Sequence, residues 1–386
     1  MEEKKNLYPI KFIPVAERKP WGGDSLIRKL GKDFVECDSE GNEVHLTVRD
    51  TVGESWEISD MGFVDSVAAN GWLAGNTLEE IMETYIERIS GENVYRFYGR
   101  QFPVLVKFLD IRGRTSLQVH PDDEVAAQRY DALGKCKMWY IMDAAPDAKI
   151  YMGFRRSVPA QELYDRCKDG TIEEVLNVVR PRKGDSVLIR PGTVHAAEGG
   201  LLVAEVGESS DLSFRLSDWG REKNPDTARP LHLEEAFDII DMGAYDGSGY
   251  CHGGSTEDGV TSRLVSVPQF TVSRFNVKAP LKVSTEHSDS YLIYICTEGE
   301  ADIQVPASAG DGKESMQSVR LRKGETVLVP ADMQEFYIVP VDRDTTLLEA
   351  MTETAEEVDP YINPDTEPYL EGEDYGGVED EEEGGK

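Results

Sequence analysis

Two short segments hold the side chains best suited to chemistry. They are Ser116-Leu117-Gln118-Val119-His120-Pro121-Asp122-Asp123 and, further along, Pro191-Gly192-Thr193-Val194-His195. Gln118 and His120 are two residues apart, so on a strand both side chains leave the same face. A carboxamide oxygen and an imidazole nitrogen can both ligate a divalent metal such as zinc. His195, after its Pro-Gly turn, stands where a second strand could close the site from the other side. From spacing alone, two core histidines satisfied by ordinary hydrogen bonds are an equal alternative.

The 386-residue chain carries a net charge of -32, with 39% hydrophobic and 9% aromatic residues. That composition supports a real core in one elaborated domain or two. The charge is uneven: from Glu353 to the end, fourteen side chains are acidic and one is a lysine. This tail, residues 353–386, holds too little apolar surface to order itself fully, although Tyr361, Tyr369 and Leu370 offer docking points. So acidic a protein is not expected to bind nucleic acid. No apolar run approaches a membrane span, and Met1-Glu2-Glu3-Lys4-Lys5 leads into no signal core. Five cysteines without CxxC spacing suggest neither a disulfide framework nor a cysteine zinc site, which points to a reducing, cytoplasmic setting. Basic residues gather around the candidate ligands, Lys107, Lys135, Lys137 and Arg215 among them. Ordinary solvated charge is the default reading for most of that group.

The elements that must position these residues are mainly strands. Residues 1–100 mix short strands and turns with a helical stretch near Thr77 to Ile89, where Leu78, Ile81, Met82, Tyr85 and Ile89 recur at helical spacing. Residues 101–225 alternate apolar strands with turns around a helical insertion near Ala160 to Val179. Residues 226–352 are strand-rich again. Lys183-Gly184-Asp185-Ser186-Val187-Leu188-Ile189 is echoed by Lys323-Gly324-Glu325-Thr326-Val327-Leu328-Val329. The first copy runs on to His195, whereas the second reaches Glu335 without a histidine. The pattern predicts a duplicated antiparallel jelly roll with one chemical and one structural copy.

Seven segments in order resemble class I mannose-6-phosphate isomerases of the short bacterial form, a two-cupin family. They are Lys19-Pro20-Trp21-Gly22-Gly23, Gly53-Glu54-Ser55-Trp56-Glu57-Ile58-Ser59, Phe102 to Asp110, Ser116 to Asp123, Gly134-Lys135-Cys136-Lys137-Met138-Trp139-Tyr140, Pro191 to His195, and Ser209 to Arg221. The resemblance implies a mainly β double cupin, two jelly-roll barrels with a few inserted helices. It implies interconversion of mannose 6-phosphate and fructose 6-phosphate by proton transfer between C1 and C2, assisted by zinc. The family's metal ligands fall on Gln118, His120 and His195, and its catalytic basic residues on Arg215 and Lys135. Ser116, Lys107 and Glu205 are candidates for holding the substrate and its phosphate. The expected partner is a small sugar phosphate, with no nucleic acid or membrane, and the chain is expected to be a monomer or weak homodimer.

One position departs from the family pattern. Where a fourth ligand, a Glu, is expected, the chain has Lys137. An ammonium replaces a carboxylate there, and at about 4 Å and an effective dielectric near 20 each unit-charge pair is worth roughly 4 kcal/mol. Four outcomes are open. Zinc binds weakly through the remaining three ligands; another carboxylate (Glu124, Glu198 or Glu205) substitutes; Lys137 itself takes the metal's place; or Lys137 points away. Two functions follow: an isomerase using Arg215, Lys135, Gln118, His120 and His195, or a catalytically silent sugar-phosphate-binding paralogue with a weakened or lost metal site.

Overall fold

The computed structural model describes residues 5–226, 228–253, 261–285, 288–308 and 314–352, so the acidic tail lies outside the described residues. Strand-forming runs become four large antiparallel sheets, arranged as two facing pairs, and a separate hairpin of Val35–Cys37 and Glu43–His45. In the first pair, the large sheet runs Val15–Glu17, Glu54–Ile58, Val104–Ile111, Leu201–Glu208, Lys137–Ala144, Ser186–Ile189, Tyr250–Cys251. The sheet facing it runs Phe214–Ser217, Leu117–Val119, His195–Glu198, Lys149–Phe154, Leu176–Val179. In the second pair, Thr261–Ser266, Thr271–Val277, Thr345–Met351, Leu292–Glu298 and Thr326–Val329 form one sheet. Leu281–Ser284, Glu335–Pro340, Glu300–Ser308 and Glu314–Arg322 form the other. The fold is the mainly β double cupin that the segments imply.

Alternation along the strands sorts the side chains into layers. Leu109, Ile111, Trp139, Ile141, Val187, Ile189, Leu201 and Val203 point inward and meet Ile150, Met152 and Ala197 of the facing sheet. Their neighbours Val104, Val106, Phe108, Met138, Tyr140, Ala204 and Val206 point outward. There they pack on helix residues Leu78, Ile81 and Met82 and on Val272, Ile293, Ile295, Leu348 and Ala350 of the second pair. Both faces of the large sheet are therefore covered, which explains why Val104–Ile111 and Leu201–Glu208 are buried at every position.

The internal echo is a register match. Val187 and Ile189 lie opposite Trp139 and Lys137, and Val327 and Val329 lie opposite Tyr294 and Leu292. Across the next strand, Glu205 opposes Trp139 and Glu349 opposes Tyr294. Each glutamate accepts a hydrogen bond from its aromatic partner, Trp139 Nε1 at 2.6 Å and Tyr294 OH at 2.5 Å.

Both helical expectations run too long. The helix Leu78–Tyr85 starts on a capping box, Thr77 Oγ1 accepting from Glu80 N while Glu80 accepts from Thr77 N. It stops at Ile86, whose φ of 47° breaks the helix before Glu87–Ser90. The insertion is helical only over Ala160–Asp169, closed by Gly170 in the left-handed region. After a turn at Ile172–Val175, Leu176–Val179 pairs as an edge strand with Lys149–Phe154. Ile172, Val175 and Leu176 fit a helical period, but Val178 and Val179 are β-branched and complete a sheet edge. Among the described residues no helix is long and apolar enough to cross a membrane.

One buried ion pair supports the N-terminal segment. Lys32 Nζ reaches Glu57 Oε1 at 2.6 Å, both side chains being buried, with the ammonium 5.0 Å from the Phe108 ring centre. Burial lowers the lysine's pKa and raises that of the glutamate. Lys32→Met should therefore destabilise the fold by about 3–5 kcal/mol, because it leaves a buried carboxyl without its counter-charge, and Lys32→Met/Glu57→Gln should recover most of that loss. Urea denaturation of both variants checks this; equal losses in the single and double variants would contradict it.

Candidate active site

The inward positions at one end of the first sheet pair are polar. Lys107, Glu205 and Trp139 sit side by side on three adjacent strands, with Glu205 opposite both of the others. Lys137 is one inward step along from Trp139, opposite Gly207. A side chain at Gly207 would place its Cβ 2.8 Å from that of Lys137, so a glycine there leaves the lysine its room. Gly134 serves the same segment differently: a Cβ there would lie 2.5 Å from the backbone nitrogen of Asp123. On the facing sheet, Gln118 lies between His195 and Arg215, its direct neighbours in register.

Lys107, Lys137, Trp139, Glu205, Gln118 and Arg215 line a cavity of about 180 Å³ together with Lys19, Glu54, Ser116, Lys135, Asp211, Ser213 and Arg229, and His195 lies behind it beside Gln118 and Trp139. A larger recess of about 620 Å³ nearby, between Asp60, Phe63, Arg100 and Asp211, lacks the lysines. In the smaller cavity, three lysines buried to 4% exposure or less face carboxylates. Lys107 Nζ is 3.3 Å from Glu54 and 3.8 Å from Asp211, Lys135 Nζ is 3.3 Å from Asp211, and Lys137 Nζ is 3.3 Å from Glu205. Lys107 also stands 3.6 Å from the centre of the Trp56 ring.

The charges set one another's protonation. Burial alone would raise Glu205 and Asp211, but the surrounding lysines outweigh it and hold both at about 2. Burial also lowers Lys107, and the charges of Glu54, Asp211 and Glu205 reverse this, raising its pKa on balance. Lys135 goes the other way. Burial, with Lys107 and Lys137 as like charges, brings it down to about 8 against the pull of Asp211.

Both histidines are neutral. Burial, then the charge of Lys137, takes His195 down to about 3 and His120 well below its ordinary value. Their tautomers follow from their partners: Nδ1 of His120 lies 2.8 Å from Leu212 O, and Nδ1 of His195 lies 3.0 Å from Thr193 O. A carbonyl only accepts, so each Nδ1 carries the proton and each Nε2 keeps its lone pair. His195 Nε2 faces Gln118 Nε2 at 3.4 Å, while His120 Nε2 is buried without a hydrogen-bond partner. The two rings are 4.7 Å apart between centres. Gln118 Oε1 accepts from Ser116 Oγ at 3.2 Å.

The site thus brings together Lys107, Ser116, Gln118, His120, Lys135, Lys137, His195, Glu205 and Arg215. Arg215 lines the cavity while its Nη1 donates to Pro230 O at 2.6 Å, and burial, then the neighbouring Arg229, lower its pKa. Two substitute carboxylates are ruled out by position. Glu124 is an exposed helix residue accepting from Gln128. Glu198 points to the outer face of its sheet and is held by Arg114, Lys149 and the Tyr151 hydroxyl. Nor does Lys137 point away, since it lines the cavity. Sequence reasoning gave no role to Glu54, Asp211, Lys19, Trp139 or Arg229. The first four lie inside the seven segments, and only their pairing in three dimensions marks them.

A divalent ion does not fit this donor set. Gln118, His120 and His195 are neutral, and the position of an anionic fourth ligand holds an ammonium. The one carboxylate beside it, Glu205, meets both Lys137 Nζ and Trp139 Nε1 through Oε2. Among the described residues no three His, Cys, Asp or Glu side chains converge as a metal site would require.

Comparison with known proteins agrees with the fold. Residues 10–153 match the family model for the type I phosphomannose isomerase catalytic domain. YvyI of Bacillus subtilis, which carries mannose-6-phosphate isomerase in its name, is 30% identical over 334 residues, covering 86% of this chain and 95% of that one. The mannose-6-phosphate isomerase ManA of the same organism is 29% identical over 329 residues, covering 85% and 95%. A crystal structure of the B. subtilis mannose 6-phosphate isomerase superimposes with a TM-score of 0.73 at 28% identity, covering 89% of this chain and 99% of that one. The chain belongs to the mannose-6-phosphate isomerase family of enzymes.

Proposed function

We propose that this chain interconverts mannose 6-phosphate and fructose 6-phosphate in the cytoplasm, as a monomer or weak dimer. The observation that carries the reading is the convergence of three buried lysines and Arg215 on one charge-balanced cavity. The reaction moves hydrogen between adjacent carbons. A base takes the proton from C2 of the open-chain aldose, the electron pair of that bond becomes the C1=C2 bond, and O1 gains negative charge and a proton. Return of a proton to C1, with loss of the O2 proton, leaves the ketose. Negative charge develops on O1 and O2, so fixed positive charge in a dry cavity favours the transition state over the ground state.

Roles follow from position. Arg215 and Lys137 face the cavity from opposite sheets and suit the developing oxyanions. Lys135, with its pKa near 8, has a neutral fraction that can take and return a proton. Lys107, with Ser116, Lys19 and Arg229, supplies phosphate donors. Gln118 fixes the His195 ring. Proton transfer is assigned to residues 101–225, with Lys19 and Arg229 reaching the cavity from the flanking segments and the rest of 226–352 as a scaffold. The silent-paralogue reading draws on Lys137 alone, and predicts binding of both sugar phosphates without turnover.

Fructose 6-phosphate formation from mannose 6-phosphate, followed in a coupled assay, tests the proposal. Arg215→Ala should lower kcat by ~10²-fold or more with a nearly unchanged melting temperature. A wild-type chain that binds but never turns over, or an Arg215→Ala variant of full activity, would overturn the assignment. With Lys135 as base, the neutral amine is the active form, so kcat/KM should rise with pH through about 8. In Lys135→Met that limb should vanish and the rate fall ~10²–10⁴-fold. A profile flat between pH 6 and about 9 in the wild type would exclude Lys135 from proton transfer.

A further inference from the structure

We propose that the Lys137 ammonium, clamped by Glu205, stands in for a divalent metal, so that this site works without one. The inference rests on the isomerase reading for its catalytic part, but its metal-binding part stands on geometry alone.

Lys137 arrives in the site by strand register, not by a loose excursion. Its Cα is fixed opposite Ile189 on one side and Gly207 on the other. The missing side chain at Gly207 accommodates it, its charge meets Glu205 at 3.3 Å, and its ammonium lies 5.1 Å from the Trp139 ring centre. Trp139 in turn holds Glu205 by its indole N–H, on the same Oε2 that Lys137 meets, which fixes the orientation of the carboxylate. The lysine, glutamate and tryptophan form one linked unit, with the Trp139 ring 6.0 Å from that of His195. A dication between His120 and His195 would have to sit beside the Lys137 charge with only neutral ligands to hold it.

The catalytic need that a metal meets is positive charge beside O1 and O2 as they become anionic. An ammonium meets it by donating hydrogen bonds. Lys137 neither gains nor loses an atom in the cycle. It strengthens its hydrogen bond as the C2 proton leaves and relaxes it when C1 is protonated. The second sheet pair offers an internal contrast. It keeps the aromatic–glutamate pair as Tyr294 and Glu349 but has Leu292 at the register position of Lys137, and among the described residues no comparable cluster of lysines.

The test is zinc binding and turnover of the full chain after dialysis against EDTA. Zinc is titrated calorimetrically into the wild type, Lys137→Glu and Lys137→Gln, which releases Glu205 without adding a second carboxylate. The wild type should take up no stoichiometric zinc. Both variants should bind one zinc per chain, with Lys137→Glu at least ~100-fold tighter than the wild type. A wild type that holds one zinc per chain, or binds it as tightly as Lys137→Glu, overturns the proposal. In the activity arm, the zinc-free wild type should retain turnover and Lys137→Met should lose it without unfolding. Turnover that appears only on adding zinc overturns the metal-free site while leaving the isomerase intact. Absence of turnover in every condition overturns the isomerase reading, and the titration still decides whether Lys137 excludes the metal.

Discussion

The site depends on a balance of buried charge. Lys107, Lys135 and Lys137 are sequestered between two sheets, where none could stay charged alone, and Glu54, Asp211 and Glu205 lie within 4 Å to compensate them. Each depends on the others: the lysines hold Glu205 and Asp211 at about 2, and those carboxylates keep Lys107 charged. Lys135 lies at the margin of the balance, with two like-charged neighbours and one main counter-ion, which makes it the group able to exchange a proton near neutral pH. A site of this kind is arranged for an anion.

The fold meets this requirement by duplication and divergence. Both sheet pairs use the same ladder, with an inward aromatic opposite an inward glutamate, and both glutamates are hydrogen-bonded by it. In the first pair the flanking positions carry Lys137, Gln118 and His195. In the second, the matching register positions carry Leu292, Ser284 and Glu335, and Glu335 turns to an exposed pair with Lys282. The second pair also covers the outer face of the large sheet through Val272, Ile293, Ile295 and Ala350. That packing keeps the strands bearing Lys107, Lys137 and Glu205 in fixed register.

Much of this was legible in the sequence, for specific reasons. The strands were readable because their apolar residues are continuous or alternate, and Gln118 and His120 because a spacing of two has one meaning on a strand. The repeat from Lys183 and Lys323 was readable because it preserves a turn followed by a buried strand. Helix ends were not, because Ile172, Val175 and Leu176 satisfy either period and only the free edge at Lys149–Phe154 decides for a strand. Glu54 and Asp211 were also hidden: a lone acidic residue gives no sign that a buried lysine more than fifty residues away in sequence will need it. Lys137 was conspicuous as a charge out of pattern, but its partner Glu205 emerged only from the ladder.

The central claim is that fixed lysine charge does the work here that a metal would otherwise do. Its most direct measurement is a crystal structure of the purified chain with fructose 6-phosphate, with anomalous data collected on both sides of the zinc absorption edge. The account predicts Lys137 Nζ within hydrogen-bonding distance of O1 or O2 of the sugar, the Glu205 contact retained, and no zinc signal between His120 and His195. A zinc peak bound by Gln118, His120 and His195, with Lys137 turned out of the cavity, would contradict it.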